Sequence, residues 1–226
     1  MDASNKMRAI IMADGSGDRW LSSVRGTEFE GLPKQLVEVD GQTLLERTVN
    51  LLQYDGVEDI WITSHDPRME VEDTTRYEPE NNVHCLDKLL ACKPIWESPT
   101  IFLYGDVYYS EEAINAACCF PVKDKFLFFG RMHKSYFTQH YHEIFCKKIE
   151  DFDYLEECIQ WVKDELPGYG GGWELYRRMC GVSNAERAKI HVPYDHFISI
   201  DDLTEDFDEY SIYLDWLEGY RFYNGI

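Results

Sequence analysis

Apolar positions along the chain switch between two periods, and the alternation predicts a mixed α/β domain. The run Ala9 to Ala13 (Ala-Ile-Ile-Met-Ala) is short, unbroken and followed by Asp14-Gly15. A strand buried on both faces of a parallel sheet has this form. Val57 to Thr63 and Thr100 to Tyr104 repeat it, so parallel strands are expected near 8–13, 57–63 and 100–105. Between the first two, Leu44, Leu45, Val49, Leu51 and Leu52 mark the apolar side of a helix. Thr43 and Glu46 stand at the spacing of a capping box at its start. Strand, helix, strand in this order is a right-handed βαβ unit.

The later chain continues the pattern less plainly. Residues 64–80 are polar and acidic and predict an irregular excursion, and a helix is expected from Cys85 through Leu89, Leu90 and Trp96. Glu111 to Cys119 reads as a further helix. Lys125 to Arg131 and His142 to Ile149 predict two strands, an antiparallel pair. His140 and His142 would share one face of a strand, which leaves a metal site, acceptor binding and a plain surface all open. Two helices are expected over 153–166 and 173–180, the second with Glu174 placed to pair with Arg177 and Arg178. A strand at 196–200, an acidic loop and a helix through Tyr210 to Leu217 close the pattern. Nothing suggests a linker, so residues 1–226 are expected to form one domain, with 1–6 a disordered tail.

Composition narrows the function. Forty-two Asp and Glu against 22 Lys and Arg give a formal charge of −20. A nucleic acid or an anionic membrane needs a positive footprint, so neither is an expected partner. The seven cysteines show no C-x-x-C spacing, and no run approaches a transmembrane span or a signal-peptide core. Reduced thiols and a cytoplasmic setting are the expectation.

The chemistry concentrates after the first strand, in Ala13-Asp14-Gly15-Ser16-Gly17 and then Arg19. Glycines there let the backbone turn tightly and bring its N–H groups to a ligand, and a helix opening at such a turn adds its positive end. Arg19 and Lys34 contribute two cations, so the ligand this chemistry suits is a polyphosphate. It is not a P-loop, since no Gly-Lys pair occurs. The dinucleotide fingerprint fails as well, because Trp20 fills the slot of its third small residue. A second piece is Gly105-Asp106 at the end of the 100–105 strand, where a carboxylate would be a hard ligand for Mg²⁺. The competing role for Asp106 is a cap on the 111–119 helix.

Strand, Gly15-x-Gly17-x-Arg19, then Pro33-Lys34-Gln35-Leu36 resembles the GT-A-like (MobA-like) nucleotidyltransferases, and the likeness covers most of the chain, most firmly to about residue 106. Asp14 departs from the pattern, standing where a small residue is expected. The helix Leu44 to Val49 resembles that of cytidylyltransferases acting on small phosphorylated alcohols. Asn81-Asn82 looks like the base-recognition segment of choline-phosphate cytidylyltransferases, with Cys85 in place of a serine; a plain asparagine turn is the other reading. The resemblance implies a Rossmann-like, mainly parallel sheet flanked by helices. It implies transfer of a nucleoside monophosphate, CMP by the Asn81-Asn82 likeness, from a nucleoside triphosphate to a small phosphorylated acceptor, with Mg²⁺ and release of pyrophosphate.

On that likeness, Lys34 holds the α-phosphate and the acceptor, and Arg19 serves the leaving phosphates. Ala13, Asp14, Gly15, Ser16, Gly17, Asn81 and Asn82 bind the nucleotide. Asp106 with Asp206 and Asp208 fixes the metal, and Asp201 and Asp202 are alternatives for the last two. Two other functions stay open: a GT-A glycosyltransferase using a nucleotide sugar, and a non-catalytic nucleotide-binding relative, which Asp14 would suit.

Overall fold

The computed structural model describes residues 6–80, 84–168, 170–183, 185 and 194–225. In chain order the elements are β1 (Arg8–Met12), α1 (Asp18–Ser23), β2 (Glu38–Val39), β3 (Gln42–Thr43), α2 (Leu44–Tyr54), β4 (Asp59–Thr63), β5 (Thr75–Tyr77), α3 (Cys85–Ala91), β6 (Thr100–Tyr104) and β7 (Val107–Tyr108). They continue with α4 (Glu111–Cys119), β8 (Phe126–Arg131), β9 (Glu143–Ile149), α5 (Phe152–Glu165), α6 (Gly172–Met179), β10 (Phe197–Ser199), β11 (Glu205–Asp206) and α7 (Tyr210–Asn224).

Seven strands form one sheet in the order β10-β8-β9-β6-β1-β4-β5. Every pairing is parallel except the two that β9 makes, with β6 and with β8. The sheet is thus mainly parallel, with β9 alone reversed, and the expected β8/β9 antiparallel pair is present. Alternation along β1 splits its side chains between two cores. Ala9 and Ile11 face a layer closed by Leu45, Val49 and Leu52 of α2 and by Ala113, Ile114 and Ala117 of α4. Ile10 and Met12 face Leu86 and Leu89 of α3, Ile159 and Val162 of α5, and Leu175 of α6. Continuous apolar strands need cover on both faces, and the helices supply it.

A third, aromatic cluster stands beside the sheet. Trp20, Tyr108, Phe207, Tyr213, Trp216 and Tyr220 are all buried there. Trp20 donates to the Leu32 carbonyl at 2.9 Å and meets Tyr213 edge-on. The bulky residue that spoils a dinucleotide fingerprint therefore fastens α1 against α7.

Local signals are realised where they are short-range. The Thr43 hydroxyl accepts from the Glu46 amide, and the Glu46 carboxylate accepts from the Thr43 amide, completing the capping box. Three expectations need correction. Within the supposedly irregular 64–80 stretch, β5 forms the sheet's edge; it is three residues long and centred on Arg76, which pairs with Glu70 and Glu78. So short and charged an edge strand has no readable period. Helix α3 ends at Ala91 rather than running to Trp96, because Pro94 cannot continue it and only a single tighter turn over Lys93–Ile95 follows. His140 and His142 lie before β9 rather than on a strand face. His140 lies 3.8 Å from Glu205, and the His142 ring meets Trp173, so they do not converge as a ligand pair.

Candidate active site

The C-terminal ends of β1 and β6 make the floor of the site. The two strands run in register, Met12 beside Tyr104, and the Gly105 amide donates to the Met12 carbonyl at 2.9 Å. A Cβ on Gly105 would lie 3.0 Å from the Ala13 Cβ, a tight contact, so the close approach of the two turns favours glycine. The glycine loop and Asp106 accordingly share one rim, as an open parallel sheet arranges its ligand site.

Ala13, Asp14, Gly15, Ser16 and Gly17 line a cavity of about 260 Å³ together with Lys34 and residues of the 64–69 segment. Gly17 adopts a left-handed conformation, φ 62°, as it leads into α1. The Asp14 carboxylate is within 3.0 Å of His65 Nδ1, and the hydrogen bond with Asp14 leads the influences that raise the histidine's pKa. The departing residue of the loop is thus tied to a side chain that sequence reading did not single out.

Four side chains from three distant parts of the sequence converge beside that cavity. Lys34 follows Pro33 into a single tight turn and is almost completely buried. Its ammonium lies 2.9 Å from Asp106, 2.6 Å from Asp206 and 3.6 Å from Asp208. The two-stranded ribbon β7/β11 causes the meeting: Asp206 pairs with Val107, the neighbour of Asp106. Arg19 closes the group with an ion pair to Asp208 at 2.7 Å, while its side chain remains 70 % exposed.

Electrostatics follow from three carboxylates around one ammonium. Burial works to lower the Lys34 pKa, but Asp106 and Asp206 outweigh it and the net shift is upward. Burial is also the largest influence on Asp206; it raises the carboxyl well above its ordinary value, with Asp106 and Asp208 adding to it and Lys34 opposing. Both shifts reflect crowded negative charge in a part-dry place. Glu143, at the start of β9, is pushed up to about 7, first by burial and then by Asp208. It too escaped the sequence reading.

The donor set fits a hard cation. Among the described residues no cluster of three metal-ligating side chains is arranged as a cage. Asp106 and Asp206 are instead two hard-oxygen donors held by a shared contact, and a site offering one or two carboxylates, the rest of the shell coming from phosphates and water, is the usual provision for Mg²⁺.

Competing roles separate cleanly. Helix α4 is capped by Ser110, whose hydroxyl accepts from the Ala113 amide, and not by Asp106. Asp202 is bound by the Ser110 hydroxyl and accepts from the Thr204 amide, while Asp201 pairs with His133. Asp201 and Asp202 line a different and larger cavity, about 820 Å³, which contains none of Lys34, Asp106, Asp206 and Asp208. Asp206 and Asp208 are therefore the pair at the rim. Asn81 and Asn82 lie outside the described residues. Arg177 pairs with Glu174 and the Arg178 guanidinium lies over Trp161, so each is engaged by a neighbour on α6 or α5. All seven cysteines are unpaired thiols.

This architecture, a mainly parallel seven-stranded sheet flanked by helices, is shared with solved structures of nucleotidyltransferases. Solved structures similar to the chain include the inositol-1-phosphate CTP transferase of T. maritima, at 12 % identity, covering 96 % of this chain and 97 % of that one with a TM-score of 0.60. The UDP-glucose pyrophosphorylase of Acinetobacter baumanii matches at 11 % identity over 95 % and 93 %, TM-score 0.58. The CTP:phosphocholine cytidylyltransferase of Streptococcus pneumoniae matches at 14 % over 95 % and 99 %, TM-score 0.55. No protein-family model and no curated protein sequence matches the chain. Among the described residues, no helix is long and apolar enough to cross a membrane.

Proposed function

We propose that this protein is a nucleotidyltransferase that moves a nucleoside monophosphate from a nucleoside triphosphate to a small phosphorylated acceptor and releases pyrophosphate. The observation that carries the proposal is the meeting of Lys34 with Asp106, Asp206 and Asp208 beside the glycine loop. Those residues come from three separate parts of the chain, and the three similar structures above carry the names of enzymes that use such substrates.

In this reading an oxygen of the acceptor phosphate attacks the α-phosphorus, and the bond to the β-phosphate oxygen breaks. Negative charge builds on the oxygens in flight, so fixed cations and amides carry the catalysis. Lys34 stays protonated, by its raised pKa, and is placed to hold the α-phosphate and the incoming acceptor. Arg19, exposed toward solvent, serves the departing phosphates with the Gly15 and Gly17 amides. Asp106, with Asp206 and Asp208, would hold Mg²⁺. When bound, the ion neutralises and aligns the phosphates. CMP is the group favoured by the Asn81-Asn82 likeness, and the charge of the chain suits neither a nucleic acid nor an anionic membrane as partner.

The test is thermal protection by each of the four nucleoside triphosphates with Mg²⁺, followed by assay of pyrophosphate release with phosphorylated alcohols and sugars. One triphosphate is expected to raise Tm well above its monophosphate. Protection by none of the four would end the proposal.

A further inference from the structure

Helix α3 brings to the glycine loop a cation that no motif contains. A Cβ on Gly15 would lie 3.8 Å from the Lys88 ammonium and 4.0 Å from the Gly17 amide nitrogen. The space left by the missing side chain is therefore bordered by two hydrogen-bond donors, one of them charged. Among the described residues, apart from Gly15 itself and its two chain neighbours, nothing else comes within 4 Å of that position. Such a niche suits an anionic oxygen.

The helix is held so that this residue faces the loop. Leu86 and Leu89 are buried in the core against the sheet, and Asp87 pairs with Lys163 of α5. Lys88 takes part in none of these contacts, and its ammonium makes no ion pair among the described residues. The carboxylate in the loop, Asp14, is bound to His65. In a chain of formal charge −20, this partly buried lysine beside a glycine turn has no carboxylate within ion-pair distance among the described residues.

Resting on the nucleotidyltransferase reading, we infer that Lys88 is a third polyphosphate-binding cation: with the Gly17 amide it holds the pyrophosphate end of the triphosphate. Lysine suits this role as a compact point charge with rotatable donors, tolerant of which phosphate oxygen it meets. The triphosphate is then gripped from two separate elements, Arg19 on α1 and Lys88 on α3. A monophosphate has nothing to offer Lys88.

The experiment is calorimetric titration, with Mg²⁺, of the four nucleoside triphosphates, their monophosphates and inorganic pyrophosphate into wild type, Lys88→Ala and Lys88→Arg. Circular dichroism and Tm establish that the variants fold. Lys88→Ala should weaken triphosphate and pyrophosphate binding roughly tenfold, the worth of one charge-assisted contact. It should leave the monophosphates unchanged, and Lys88→Arg should recover most of the loss. If wild type binds a triphosphate and Lys88→Ala binds it equally, the inference fails while the functional reading stands. Equal losses for triphosphate and monophosphate would move Lys88 to the nucleoside or α-phosphate and overturn it as well. A wild type that binds no triphosphate overturns both.

Discussion

Lys34 and Asp206 are 172 residues apart in the chain, and their charged groups meet at 2.6 Å. The contact joins the Pro-Lys turn that follows the glycine loop to a strand laid down near the end of the fold. It also gives one ammonium three carboxylate neighbours, since Asp106 and Asp208 approach the same nitrogen. Lys34 is therefore a counter-ion for three carboxylates; in the proposed function it would also be a phosphate ligand, and the two duties can be separated by experiment.

Lys34→Ala should lower turnover by at least about a hundredfold, as loss of a preorganised cation at a developing charge does. It should also destabilise the protein by about 3 kcal/mol near neutral pH, because three carboxylates are left facing one another. Asp206 already has a raised pKa in the fold, so the folded state takes up a proton more readily than the unfolded chain. Stability linked to such a group is complete below the unfolded pKa and is lost as pH rises through the folded one. The Tm deficit of the variant should thus shrink on acidification, and Mg²⁺ should shrink it at constant pH. A Lys34→Ala protein as stable as wild type at pH 7 and indifferent to Mg²⁺ would refute the counter-ion role.

Asp106→Asn should abolish turnover while leaving the protein folded, with only the Lys34–Asp106 share of the ion-pair stability lost. The substitution removes a charge with little change in volume, and charge lost at a metal weakens the transition state by several kcal/mol, about a thousandfold in rate. Helix α4 is indifferent to it because Ser110 is its cap. Ser110→Ala is the matching control: about 1 kcal/mol of stability lost, with kcat retained. Near wild-type kcat in Asp106→Asn at saturating Mg²⁺ would remove Asp106 from the metal site.

The first half of the fold is legible in the sequence because its signals are local. Apolar runs end at Gly15 and Gly105, and Thr43 and Glu46 cap a helix within one turn. Asp206 and Asp208 could be separated from Asp201 and Asp202 only in three dimensions, since all four sit in one acidic run and differ in that the first two meet Lys34 while the other two line a separate cavity. Lys88, His65 and Glu143 stayed hidden for a related reason. Each reaches the site from an element whose own pattern says only helix, loop or strand. Edge strand β5 shows the opposite limit, three residues being too few for a period to register.

Glu143→Gln should make stability less dependent on pH. The folded pKa of about 7 lies above that of an ordinary carboxylate, mainly through burial. Protonated Glu143 is thus the form the fold prefers; its contribution is intact below the unfolded pKa and fades as pH rises through about 7. The amide stays neutral throughout. Wild type and variant should be alike near pH 4, and the variant should gain at pH 8, by at most about 3 kcal/mol given the partial burial. Chemical denaturation at both pH values measures this. A gain of equal size at pH 4 would point to packing rather than charge.

The last prediction separates nucleotidyl transfer from glycosyl transfer, which the same rim could support. A triphosphate with Mg²⁺ should bind far better than its monophosphate, because the additional anionic groups meet the glycine-loop amides and Arg19. A nucleotide sugar, which has no γ-phosphate, should gain little from Arg19. Arg19 is paired with Asp208 yet 70 % exposed, so it can turn toward a ligand without being dragged from a buried position. Its removal also frees Asp208 of a counter-ion, which makes the site more negative and should raise its demand for Mg²⁺. Arg19→Ala is therefore expected to weaken triphosphate binding about tenfold, and less so as Mg²⁺ is increased. Titration of each nucleotide and nucleotide sugar into wild type and variant reads both effects. Tight nucleotide-sugar binding unaffected by the substitution, together with weak binding of every triphosphate, would assign the site to glycosyl transfer.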